Sequence, residues 1–75
     1  MSAKREIAKE IHLLEEEMKI LEAKRNRSQA HIIEALISRE SPDPQETQFF
    51  RTFSAEIDVK RERLMELTNR LKNML

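Results

Sequence analysis

The chain has 75 residues, of which 37% are charged and 39% hydrophobic, with 14 basic and 14 acidic side chains and neither glycine nor cysteine. The lack of glycine excludes phosphate-binding loops and most tight β-hairpins, which need backbone angles that glycine adopts most readily, and the lack of cysteine excludes disulfides and thiolate zinc sites. The balanced charge gives no overall field that would attract nucleic acid or an anionic membrane, so any such binding would need a local patch.

The first predicted element is a long amphipathic helix over roughly residues 3–39. Side chains recur along it at alternating steps of three and four residues, which is the spacing of one helix face in a coiled coil. Only an arginine and a serine interrupt the apolar character of this stripe. The stripe consists of Ile7, Ile11, Leu14, Met18, Leu21, Arg25, Ser28, Ile32 and Ala35.

A proline-rich segment predicts the end of this helix and the start of another. Pro42 disfavours helical backbone angles in the residue before it. Asp43 can cap the following helix through its carboxylate, and Pro44 suits the first helical position. We therefore expect a turn over about residues 40–43 and a second helix over about residues 44–74.

The second helix carries the same alternation, with one polar interruption. Its stripe consists of Phe50, Phe53, Ile57, Lys60, Leu64, Leu67, Leu71 and Met74. A connection this short makes the two helices antiparallel neighbours. The predicted fold is all-α, a single coiled-coil-like antiparallel two-helix hairpin over residues 1–75. The register that we predict places Ala35 opposite Phe50 and Arg25 opposite Lys60.

Further apolar residues lie outside the stripes, on surfaces that a lone hairpin would expose to water. Two helices bury too little apolar area to offset the ordering of the chain, so we expect a partner. The partner is either a second copy, giving a homodimer and a four-helix bundle, or another helical protein. The predicted partner or dimer interface lies towards the turn and consists of Ile33, Leu36, Ile37, Phe49, Phe50, Phe53 and Val59.

Basic residues near the middle of the predicted hairpin form a candidate belt for an anion or an acidic partner. The belt consists of Lys24, Arg25, Arg27, Lys60, Arg61 and Arg63. One interpretation is that these long side chains extend to nearby glutamates and select the register. The alternative is an RNA- or anion-binding hairpin dimer. Zero net charge and the absence of Trp and Tyr for base stacking make nucleic acid a poor fit.

No chemistry is predicted for this chain. His12 and His31 have no further ligands at metal-binding spacing, and no serine has a recognisable histidine partner, so we expect no catalytic residue, metal or cofactor. No apolar run reaches the ~18 residues of a membrane span, and the first ten residues carry no signal-peptide core. We expect a non-enzymatic cytoplasmic protein that acts as an adaptor or regulator through helix packing.

Short resemblances suggest more specific functions. The segment Asp43–Gln48 is similar in arrangement to the small helical-hairpin co-chaperones of type III secretion, which implies a complex with a second chaperone and a needle subunit. Ser54–Asp58 resembles the signature of sporulation regulators that dephosphorylate a response regulator, although Ala55 and Ile57 depart from it. The hairpin plan resembles that of the RNA-binding repressor-of-primer family of plasmids.

Overall fold

The protein, described by a computed structural model over residues 2–75, consists of two helices that form one antiparallel hairpin. Helix α1 spans Ala3–Ile37 (35 residues), and helix α2 spans Pro44–Asn73 (30 residues). The hairpin is a rod of 55 × 16 × 15 Å. The predicted all-α hairpin is therefore confirmed, with α1 ending slightly before the expected boundary near residue 39.

The start of α2 follows the predicted capping chemistry. Asp43 is the N-cap residue, and its Oδ1 accepts a hydrogen bond of 2.9 Å from the backbone N–H of Gln45. Pro44 occupies the first helical position, where its missing N–H leaves no helical hydrogen bond unmade. At the other helix, the Ser2 hydroxyl accepts a bond of 3.2 Å from the backbone N–H of Arg5. Each helix thus begins at a side-chain cap.

The end of α1 uses a left-handed backbone conformation without glycine. Arg39 has φ of 57°, and within the described residues it is the sole position with a positive φ. The Glu40 N–H donates to the Ala35 carbonyl at 2.8 Å, and the Arg39 N–H donates to the Leu36 carbonyl at 3.1 Å. These two bonds form a Schellman motif, which satisfies helix-end carbonyls. The conformation costs an arginine roughly 1–2 kcal/mol that glycine would avoid.

The buried side chains come from the two predicted stripes. Four hydrophobic residues are buried: Met18, Leu21, Ile57 and Leu67. Phe53 and Leu64 pack against this core, and Ser28 is the buried polar residue of the seam. The stripes therefore meet along one seam, but the volume that they enclose between two helices is small.

The cross-helix contacts show that the predicted register is wrong by about one heptad. Lys60 Nζ lies 2.5 Å from Glu17 Oε2, and Lys24 Nζ lies 6.0 Å from the centre of the Phe53 ring. The prediction placed Lys60 opposite Arg25, eight residues beyond Glu17, which is about 12 Å along a helix. Because both stripes repeat every seven residues, a one-heptad shift still pairs seam with seam. The observed register also replaces a cation–cation contact with an ion pair.

This register leaves the last turn of α1 without a neighbouring helix. If Lys24 is level with Phe53, then Pro44, the first residue of α2, is level with Ile33. The helix continues to Ile37, so about one turn extends beyond the start of α2. Ile37 is 76% exposed, and because it follows the seam residue Ala35 by two positions it also points away from the seam. The end of α1 therefore presents apolar side chains to solvent.

Replacement of Arg39 by glycine tests the cost of the left-handed turn. We expect Arg39→Gly to raise the free energy of unfolding by about 0.5–1 kcal/mol, because the relief of backbone strain exceeds the added freedom of glycine in the unfolded chain. Arg39→Ala is the matched control and should change stability little, because alanine retains the Cβ. Urea denaturation at fixed protein concentration measures the stability of both variants. An unchanged or lower free energy of unfolding for Arg39→Gly would contradict a left-handed conformation at this position.

The cap of α2 gives a second stability prediction. Asp43→Ala should lower the free energy of unfolding by about 1 kcal/mol, because the Gln45 N–H loses its acceptor. Asp43→Asn keeps a side-chain oxygen in place and should lie within a few tenths of a kcal/mol of the wild type. Equal losses for the two variants would show that the charge, and not the capping oxygen, stabilises this helix end.

Candidate interaction surfaces

The structure divides the predicted basic belt into two groups at different levels of the hairpin. The α2 group is paired with carboxylates: Lys60 with Glu17, Arg61 with Asp58, and Arg63 with both Glu10 and Glu66. The α1 group, Lys24, Arg25 and Arg27, makes no ion pair within residues 2–75. Because Lys60 sits at Glu17 and Lys24 at Phe53, the six side chains do not form one continuous belt.

A shallow recess lies between the helices beside the α1 basic group. Its volume is about 330 Å³, and its lining residues are Lys24, Arg27, Ser28, His31, Glu46, Phe49 and Phe53. The Phe49 and Phe53 rings are stacked, with centroids 6.0 Å apart and an interplanar angle of 25°. Phe53 also packs on the core, whereas Phe49 is 40% exposed. The recess thus combines an aromatic wall with a cationic rim.

The recess marks one long side of the hairpin, which we call the recess face. On α1, Glu17 and Lys24 contact α2 along this edge. The exposed Ile20 lies between them, three residues after Glu17 and four before Lys24. Residues three and four apart share a side of a helix. The same spacing places Leu13 beside Glu17, and on α2 it places Val59 beside Arg63. The exposed apolar residues of the recess face are Leu13, Ile20, Phe49 and Val59.

The other predicted interface residues lie elsewhere. Ile33 follows His31 by two residues, which is a rotation of about 200° around α1, so it points away from the recess face. Leu36 and Ile37 lie three and four residues further on, beside Ile33, and all three are exposed. Phe50 and Phe53 are half-buried in the seam. The predicted interface therefore comprises two separate surfaces and two seam residues.

Sequence reasoning left Leu13 and Ile20 out of the predicted interface. Both are exposed by more than half, at 59% and 57%, but they lie towards the open end of the hairpin, whereas the predicted interface was placed towards the turn. In the observed register Ile20 and Val59 lie on the same side at nearly the same level, as the neighbouring Glu17–Lys60 pair shows. A correct register would have identified the pair.

Neither helix has an apolar stretch of the length needed to cross a bilayer, over the residues that the structure describes. Within the same residues, no three His, Asp or Glu side chains converge in a manner suited to a metal ion. No protein-family model matches the chain, and comparison with curated proteins and with solved structures gives no match. Any statement of function therefore depends on the surfaces of the hairpin.

A charge-swap experiment tests the register on which these surfaces depend. Lys60→Glu and Glu17→Lys should each lower the free energy of unfolding by about 0.5–1 kcal/mol, because each places like charges together at a half-exposed site. The double variant should recover most of that loss, which a double-mutant cycle by urea denaturation would measure. Lys60→Glu combined with Arg25→Glu is the control. Coupling in the control pair instead of the test pair would restore the register with Arg25 opposite Lys60.

Proposed function

We propose that this protein is a non-catalytic interaction module that binds a helical surface, on a second copy or on another protein, through the exposed apolar side chains of its hairpin. One observation carries the proposal. Within residues 2–75 the hairpin buries four hydrophobic side chains and leaves ten large ones exposed, including Ile37 at 76% and Val59 at 67%. Single exposed hydrophobic residues are ordinary, but a surface this rich in them relative to its core is typical of a protein that packs against a partner.

The magnitudes support association. Full burial of one Val, Leu, Ile or Phe side chain contributes about 1.5–3 kcal/mol. The four residues of the recess face are 40–67% exposed, so their burial offers about 3–7 kcal/mol per copy. Contributions from both sides of an interface of this kind would together be similar to the ~8 kcal/mol of a micromolar complex, before the cost of association is subtracted. The apolar turn-proximal group of Ile33, Leu36 and Ile37 adds a second surface of the same kind.

The more specific interpretations from the sequence stay as predictions within this proposal. A co-chaperone of the type III secretion kind is one form of interaction module, in which a second chaperone covers the apolar faces. Within the belt, an RNA or anion binder would depend on the α1 group of Lys24, Arg25 and Arg27, since all three belt residues of α2 already have carboxylate partners. That arrangement favours the protein-binding alternative. The cytoplasmic location and the adaptor or regulator role also remain predictions.

Aspartate substitutions on both apolar surfaces test the proposal. A buried carboxylate without a partner is strongly unfavourable. Val59→Asp should therefore weaken assembly through the recess face at least tenfold, and Ile33→Asp should do the same for assembly through the turn-proximal group, while helical circular dichroism is largely retained. Ala23→Asp is the matched control, since it adds the same charge at an exposed position without removal of a large apolar group. Sedimentation equilibrium gives the association constants.

The state of the wild-type chain alone separates the remaining outcomes. A stable oligomer that either variant disrupts supports the proposal, and so does a partly melted monomer whose helices become stable only with a partner. A fully folded monomer, with the same mass and unfolding midpoint before and after both substitutions, would contradict it. In that case the exposed side chains would have no binding role.

A further inference from the structure

We propose that the recess face binds a second copy of the same chain, docked antiparallel, with a twofold axis that passes close to Ile20 and Val59. The inference rests on the proposed function and names the partner of that face. In this arrangement α1 packs against α1 of the second copy, and α2 packs against α2. Three features of the face support it: its apolar centre, the order of its charges and its area.

The apolar centre lies where a twofold axis would place it. Ile20 and Val59 are 57% and 67% exposed, and they lie side by side on the recess face, one on each helix. A twofold interface uses the same patch on both copies, so a residue at the axis meets its own counterpart. Two isoleucines and two valines would then form a four-residue apolar cluster at the centre.

The charges on either side of this centre are complementary to those of a reversed copy. On α1, Glu17 lies three residues before Ile20 and Lys24 lies four residues after it. On α2, Glu56 lies three residues before Val59 and Arg63 lies four residues after it. Reversal about the centre brings acid to base on both helices at once. Such complementarity supports a second copy as the partner. A parallel copy, with α1 on α2, would pair the same charges, and the cross-linking pattern below distinguishes the two orientations.

Lys24 gains most from this arrangement. It makes no ion pair within its own hairpin over the described residues, and Glu17 of the same hairpin is paired with Lys60. A carboxylate has two oxygens and accepts from more than one donor. Glu17 of the second copy, which has a free acceptor oxygen besides the one bound to Lys60, would therefore supply the carboxylate that Lys24 lacks.

The recess and the dimensions of the face agree with the same docking. Leu13 and Arg27 are equally distant from Ile20, so Leu13 of the second copy comes to the level of the recess with its aromatic wall. One side of the rod is 55 Å long and about 16 Å wide. A face of that size matches the ~800 Å² per partner that stable interfaces bury.

Single-cysteine variants test the twofold arrangement directly, because the natural chain has no cysteine to react. The probe is a short bis-maleimide added to each purified variant. Ile20→Cys and Val59→Cys lie at the axis and should give covalent dimers. Leu13→Cys is the control on the same face, since two copies of position 13 would lie about 20 Å apart along antiparallel helices. Met65→Cys is the control outside the face, with comparable exposure of 61%.

The expected result is cross-linking at positions 20 and 59 at least tenfold faster than at positions 13 and 65, from a wild-type chain that sediments as a dimer. Faster cross-linking at position 13 or 65, or equal rates at all four, would overturn the antiparallel arrangement. A monomeric wild-type chain would overturn the second copy as partner. A partly melted monomer would contradict the homodimer but leave the proposed function as an interaction module intact. A stable monomer that is insensitive to Val59→Asp would contradict both the homodimer and the proposed function.

Discussion

The seam between α1 and α2 is the constraint on which every other feature of this protein depends. Its side chains recur every three or four residues on both helices, and no third element exists in the described chain to bury them elsewhere. The seam fixes which residues are inside and, through its register, which residues share a level. Exposure of Ile20 beside Val59, and the ion pair of Lys60 with Glu17, both follow from that alignment.

The fold could be predicted from the sequence because the signals for it are local. Periodicity gives each helix, Asp43 and Pro44 mark the start of α2, and the short connection makes the helices antiparallel. The register could not be obtained in the same way, because the apolar pattern is nearly unchanged by a shift of one heptad. Charges decide between the alternatives: the predicted register sets Arg25 against Lys60, whereas the observed one pairs Lys60 with Glu17. The same shift separates the basic residues of α1 from those of α2, which the prediction placed at one level.

The two exposed apolar surfaces differ in what surrounds them. The recess face alternates hydrophobic residues with charges of both signs, so it favours a partner whose charges follow a matching order. The group formed by Ile33, Leu36 and Ile37 lacks this alternation with charges, and it lies at the end of α1 near and beyond the level of the first residue of α2. A face of the first kind is suited to specificity, and one of the second kind to affinity. A single small hairpin could thus engage two different helices without competition between them.

The overhanging turn of α1 has a consequence for the dynamics of the chain. Its end is closed by the Schellman motif at Arg39, and of its side chains Leu36 and Ile37 are exposed and Ala35 is half-buried. Regions with few buried contacts open locally, without the cooperative unfolding of the core. We therefore expect the last turn of α1 to unwind and re-form independently of the seam. A partner that changes its conformation would need to supply only the free energy of unfolding one helical turn.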